Sequence, residues 1–285
     1  KVMSAEQAAT FIQDGMTVGM SGFTRAGEAK AVPLALVKQA KANPLKITLI
    51  TGASLGNDLD KQLTEAGVLA RRLPFQVDNT LRKAINNGEV MFIDQHLSET
   101  VEQMRNLQLK KPDIAIIEAI AITEDGGIIP TTSVGNSASF AIFAEKVIVE
   151  INTNLSPAFE GLHDIYIPTY RPTRQPIPLT QVDERIGTTA INIDPSKIVG
   201  IVINSEHHDS PSTVTLPDDE TQGIANHLIS FFEAEVAAGR LPRSLGPLQA
   251  GIGSIANAVL TGLKDSNFED LVMYSEVLQD CTFEL

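Results

Sequence analysis

Six apolar runs rich in Ile and Val recur through the first 203 residues of this 285-residue chain: Met16–Met20, Ile47–Thr51, Val90–Ile93, Ile114–Ile122, Val147–Ile151 and Ile198–Ile203. They are near-continuous rather than alternating, as strands must be when both faces are covered. Helical or loop-like segments separate most of them. This pattern predicts an α/β fold built on an open, mostly parallel sheet. At the N-terminus Ser4 and Gln7 match a capping box, Ala5, Ala8, Ala9 and Ile12 fall at helical spacing, and Gly15 marks a stop. The first run leads into Ser21-Gly22, a helical stretch follows from Pro33, and the second run leads into Gly52-Ala53-Ser54.

Composition narrows the class. Apolar residues make up 43% and charged residues 20%, enough for a buried core and too apolar for intrinsic disorder. Trp is absent and aromatics are 5%, which argues against a base-stacking surface. With 22 basic against 35 acidic residues the net charge is −13, so neither nucleic acid nor anionic membrane is an expected partner. Cys281 stands alone and fits a reducing compartment. No Cys/His spacing suits zinc, and no metal is expected. The opening residues Lys1 to Glu6 hold no apolar signal core. The longest uncharged stretch, Ser244 to Leu263, has only ten apolar residues among twenty, with four glycines and a proline. It reads as loop plus helix, not as a membrane span.

Two stretches punctuate the chain. Pro168–Pro178 holds four prolines in eleven residues and is expected to be an extended loop. Glu206–Glu235 carries seven acidic residues and no Lys or Arg. Its first half reads as a Ser/Pro/Asp-rich linker, its second as an amphipathic helix with Ile224, Leu228, Phe232 and Val236 on one face. The domain boundary is placed near Pro217, giving domains 1–217 and 218–285. The second piece offers two helical patterns and one strand, Leu271–Tyr274, too little for an independent α/β domain.

Three constellations could carry chemistry. Gly251-Ile252-Gly253-Ser254 opens a helical pattern at Ile255, where free backbone N–H groups favour an anion; a tight packing turn is the other reading. Ala256 stands where the dinucleotide fingerprint needs a third glycine. Tyr274-Ser275-Glu276 ends the Leu271–Tyr274 strand, the side of a parallel sheet on which ligands bind. Glu276 is then either a ready carboxylate nucleophile or a solvated cap on a helix from Val277. Glycine-bearing loops at Gly19–Thr24, Thr51–Ser54 and Val134–Ser137 could line one crevice. His207-His208-Asp209 reads as surface loop, His96 and His163 as structural, and Ser98 as an N-cap.

The ordered set of segments resembles the acetyl-CoA hydrolase/transferase family, a branch of the class I CoA-transferases. Its carriers are Ser21-Gly22-Phe23-Thr24, Lys30-Ala31-Val32-Pro33, Thr51-Gly52-Ala53-Ser54, His96-Leu97-Ser98-Glu99, Asp125-Gly126-Gly127, Gly135-Asn136-Ser137, Gly161-Leu162-His163-Asp164-Ile165, Gln249 to Val259, and Met273-Tyr274-Ser275-Glu276-Val277. The resemblance implies two similar open α/β domains, the second incomplete here because family members continue well past the catalytic glutamate. It implies CoA transfer between an acyl-CoA (acetyl-, propionyl- or succinyl-CoA) and a small carboxylate, with Glu276 as nucleophile forming a glutamyl-CoA thioester. Gly251, Ile252, Gly253, Ser254 and Ile255 would contact CoA, and Ser54 with Gly22 would line the substrate pocket. Coenzyme A is then a substrate, and no permanently bound cofactor is expected. Acetyl-CoA hydrolysis by the same glutamate and a non-catalytic CoA-binding half that needs a partner chain are the alternatives. A homodimer is expected, in the cytoplasm, or in the mitochondrion of a eukaryote.

Overall fold

The computed structural model describes residues 1–209 and 216–285. The chain divides into two compact units, Lys1–Pro178 with Arg185–Ser210, and Leu179–Glu184 with Pro211–Leu285. The linker expected from Glu206 falls partly on residues 210–215, outside those described.

The first unit is built on β1 (Thr17–Met20), β2 (Ile47–Thr51), β3 (Leu69–Leu73), β4 (Met91–Phe92), β5 (Ile114–Ile122), β6 (Ile128–Pro130), β7 (Lys146–Asn152) and β8 (Ile198–Asn204). Its sheet runs β4-β3-β2-β1-β5-β7-β8, parallel throughout, with β6 antiparallel on β5. β1 is therefore the strand from which the order departs in both directions, and a crevice opens at such a switch point, beyond the carboxyl ends of the strands. Helices α1 (Ala5–Ala9), α2 (Ala31–Ala42), α3 (Leu59–Glu65), α4 (Asn79–Asn86), α5 (Leu97–Arg105) and α6 (Ser137–Phe143) accompany it. Two apolar clusters form the core, one centred on Val18, Leu36 and Leu49, the other on Ile117, Phe140 and Val149.

The α1 capping box forms as expected, but the helix ends at Ala9, well before Gly15. Strand β3 has no counterpart among the apolar runs, because Arg71 and Arg72 interrupt it. Arg72 is nevertheless fully buried: it donates to both carboxylate oxygens of Asp60 (2.8 and 3.2 Å) and to the carbonyls of Leu73 (2.7 Å) and Ala53 (3.2 Å). Those four bonds replace the water that the guanidinium loses. Helix α5 starts at Leu97 with His96, not Ser98, at its N-cap position. The His96 carbonyl already accepts from the N–H groups of Glu99 and Thr100, which sets the first turn two residues earlier. Pro168–Pro178 forms no helix or strand.

The second unit holds α7 (Asp219–Ala237), β9 (Pro247–Leu248), α8 (Ser254–Lys264) and β10 (Val272–Met273). Asp218 and Thr221 close a capping box that starts α7. Of the expected stripe Leu228, Phe232 and Val236 are half-buried, but Ile224 is 46% exposed and the first turns bury Thr221 and Ala225 instead. The reason is Gly262 on α8, which brings α8 close enough that a Cβ there would touch both Ala225 and Ile229 at 3.5 Å. No helix among the described residues is long and apolar enough to cross a membrane.

Candidate active site

In the first unit the three glycine-bearing loops do converge. A Cβ on Gly52 would lie 2.4 Å from the Gly22 carbonyl oxygen and 3.6 Å from the Asn136 nitrogen; one on Gly135 would lie 3.7 Å from Gly22 O. The loops after β1 and β2 and before α6 thus touch backbone to backbone at the switch point. Ser54 and Gly22 are both buried there. The Ala53 carbonyl, which accepts from Arg72 and from Thr51 Oγ1 at 2.6 Å, fixes the β2 loop. An open cleft of about 520 Å³ adjoins it, lined by Ala53, Phe75, Leu97, Asp94, His96 and Glu99. His96, expected to be structural, stands on that lining.

Behind these loops lies a buried charged cluster that the sequence reading did not identify. Lys30, one residue before α2, donates through Nζ to Glu118 Oε1 (2.5 Å) and to the Glu28 carbonyl (2.8 Å), and pairs with Asp209 Oδ1 (2.6 Å). Thr131 Oγ1 and Asn152 Nδ2 also donate to Glu118, at 2.6 and 2.9 Å. Burial pushes the Glu118 carboxyl up to about 7, against the pull of Lys30. Burial opposes the Lys30 charge too, but Glu118 and Asp209 outweigh it and raise its pKa. Glu28 is raised by burial as well, and its Oε1 accepts from Asn57 Nδ2 at 3.0 Å. His207-His208-Asp209 is the loop expected, with His208 exposed, but Asp209 is partly covered and pairs inward with Lys30. A signal was available: Glu118 and Glu150 each sit inside an apolar run of a doubly covered strand, where a charge demands a partner.

In the second unit β9 and β10 pair in parallel, Pro247 with Val272 and Leu248 with Met273. Both strands end on the same side, so the Gly251 turn and Tyr274-Ser275-Glu276 emerge together. Ser275 Oγ bridges to the N–H and carbonyl of Ala250, each at 3.2 Å, and Gln279 Nε2 donates to the Gly251 carbonyl. Gly253 takes φ 116° at the N-cap position of α8, a conformation side chains resist. Ser254 and Ile255, which open α8, are exposed, and so is Glu276. The strand at this point is shorter than Leu271–Tyr274, and no helix starts at Val277; a short 3₁₀ turn covers Asp280–Glu284. The segment that carries Glu276 is thus bonded to the start of the Gly251 turn, while Ser54 and Gly22 belong to the other unit. No group of three His, Cys, Asp or Glu side chains among the described residues is arranged to hold a metal.

Residues 1–203 match the family model for the acetyl-CoA hydrolase/transferase N-terminal domain. The succinyl-CoA:acetate CoA-transferase of Clostridium kluyveri is 45% identical, covering 100% of this chain and 53% of that protein. The acetyl-CoA hydrolase of Kluyveromyces lactis is 44% identical, with coverages of 100% and 56%. This chain spans about half the length of these curated relatives. Among solved structures, RipA from Yersinia pestis superposes with a TM-score of 0.70 at 18% identity, covering 100% of this chain and 58% of that one. A 4-hydroxybutyrate CoA-transferase from Porphyromonas gingivalis gives 0.60 at 19% identity, covering 99% and 56%. At such identities the likeness is one of fold.

Proposed function

This chain belongs to the acetyl-CoA hydrolase/transferase family, and from that premise we propose that it transfers CoA between an acyl-CoA and a small carboxylate, with Glu276 as nucleophile. What supports the reading is that Ser275 and Gln279, on either side of Glu276, bond to Ala250 and Gly251 just beyond the carboxyl ends of β9 and β10. The Glu276 carboxylate attacks the acyl thioester carbon, and the C–S bond breaks to give an acyl-glutamyl anhydride and CoA thiolate. The thiolate then attacks the glutamyl carbonyl, forming glutamyl-CoA and releasing the first acid as carboxylate. A second carboxylate runs the two steps in reverse. Each tetrahedral intermediate places charge on an oxygen, and one well-placed N–H donor there is worth about 3–4 kcal/mol. The turn of Gly251, Ile252, Gly253, Ser254 and Ile255 is proposed to meet CoA through its backbone, in keeping with an uncharged stretch from Ser244 to Leu263.

Hydrolysis by the same glutamate is the second reading, favoured by the solvent exposure of Glu276, which gives water a path to the same intermediates. Dependence of CoA turnover on added acetate or succinate separates the two. A homodimer, read by sedimentation, and residence in the cytoplasm (or mitochondrion) complete the proposal.

The test is intact mass before and after incubation with acetyl-CoA, followed by peptide mapping. A CoA-sized, borohydride-sensitive adduct on the Glu276 peptide is expected, and Glu276→Ala should abolish both adduct and acyl exchange. Full exchange by that variant would sink the proposal.

A further inference from the structure

The loop from β1 to α2 turns on two residues with positive φ, Thr24 at 50° and Arg25 at 69°. Phe23 and Ala26 exchange two backbone hydrogen bonds across them, at 2.9 and 3.1 Å. Thr24-Arg25 is therefore the central pair of a two-residue turn of the I′ kind, which selects Gly, Asn or Asp. A β-branched Thr followed by Arg is an uphill choice for that backbone. The surroundings impose it from both sides. The Arg25 N–H donates to the Ser54 carbonyl at 3.1 Å, and Ser133 Oγ donates to the Ala26 carbonyl at 2.8 Å.

Strain of this kind persists only where neighbouring structure over-determines it, and it gathers at ligand sites. Here it holds an exposed arginine, Arg25, against the Ser54 loop, beyond the end of the central strand. Among the described residues, Arg25 forms none of the ion pairs that occupy Arg72, Arg105, Arg171, Arg174 and Arg240. In a chain of net charge −13 it is a cation held where an anionic substrate would arrive. A planar guanidinium matches carboxylate and phosphate oxygens through paired N–H donors.

We propose that Arg25 contacts substrate directly, gripping an oxyanion beside the converging loops of Gly22 and Ser54: a carboxylate of the acid or a phosphate of CoA. The inference deepens the CoA-transfer reading and takes its two ligand classes from it. The experiment measures binding of acetate, succinate and CoA by titration calorimetry to the full chain and to its Arg25→Ala, Arg25→Lys and Arg25→Gly variants.

Arg25→Ala should weaken one ligand class by roughly tenfold or more, as loss of a charged hydrogen-bond pair does, and Arg25→Lys should restore part of it. Weakening confined to the acids identifies the carboxylate; weakening confined to CoA identifies the phosphate. Arg25→Gly removes strain and cation together, so its denaturation midpoint should rise while binding falls, a split that a merely structural residue would not give. Unchanged affinity for all three ligands in Arg25→Ala, or no binding of any by the parent chain, overturns the proposal. Isotope exchange between acetate and acetyl-CoA is read separately. A parent chain that binds through Arg25 yet exchanges nothing would refute the transfer reading and leave the Arg25 contact standing.

Discussion

The ammonium of Lys30 is fully buried; it donates to the Glu28 carbonyl and to Glu118 Oε1, and the Asp209 carboxylate pairs with it as a third oxygen at 2.6 Å. Such a group is tolerable only because it is paired and hydrogen-bonded; removing one member of a buried pair costs about 3–5 kcal/mol. Glu118 makes the cluster sensitive to pH. Its carboxyl holds a proton up to about 7 in the fold, against an ordinary value of 4.5. Between those values the folded state binds a proton that the unfolded chain has lost. The contribution of this group is therefore complete below about pH 4.5 and declines as pH rises through 7, by up to about 3 kcal/mol. Lys30 is held above its ordinary 10.5 and so acts outside this window. The urea midpoint should fall between pH 5 and 8, and Glu118→Gln, which cannot titrate, should flatten that slope. An unaltered slope in the variant would assign the pH dependence to other groups.

Elements meet at places where one atom decides the fit. The N–H groups of Lys30, Ala31 and Val32 all donate to the Glu150 carboxylate, at 2.8, 2.9 and 3.0 Å, and Pro33 has no N–H to satisfy. A carboxylate from β7 thus closes the positive end of α2, a favourable pairing with the helix dipole. That arrangement also explains how Glu118 and Glu150, register neighbours on β5 and β7, coexist: one faces Lys30, the other a helix end. Glycine behaves according to its element. Gly52→Ala would drive a methyl to 2.4 Å from a backbone carbonyl that cannot swing away, and should cost about 1–3 kcal/mol while prying apart the loops at Gly22. Gly223 lies within α7, and a methyl added there would meet nothing within 4 Å, so Gly223→Ala should stabilise by about 0.5–1 kcal/mol. Chemical denaturation of both variants checks the opposite signs.

Across the whole molecule the two units differ in how much core they own. The first is organised by two large apolar clusters. In the second, burial is confined to a short set that includes Ala225, Ala258, Leu260 and Leu263, while Phe231, Ile252, Ile255, Leu278 and Phe283 are exposed. Local opening should therefore be cheaper in the second unit. Hydrogen exchange followed by mass spectrometry should show the amides of α7 and α8 exchanging before those of β1, β5 and β7. Equal protection in both units would refute this ranking.

The runs Ile47–Thr51 and Ile114–Ile122 already marked β2 and β5 to the residue, because a strand covered on both faces leaves an unbroken apolar record. The capping box of α1 and the glycine-bearing loops were equally legible, since caps and turns are local properties. Strand β3 was not, because Arg72 hides in the sheet only by finding Asp60, Leu73 and Ala53 across the fold. Nor could the first turns of the α7 stripe be placed, since Gly262 on another helix sets what they bury. The partners of Lys30 lie 88 and 179 positions away in the chain, at Glu118 and Asp209. Sequence alone determined that the near-continuous apolar runs become strands and where the loops of the candidate site begin. Only the tertiary structure decided which charges those loops enclose, because the energy of a buried charge depends on partners that adjacency in the chain does not supply.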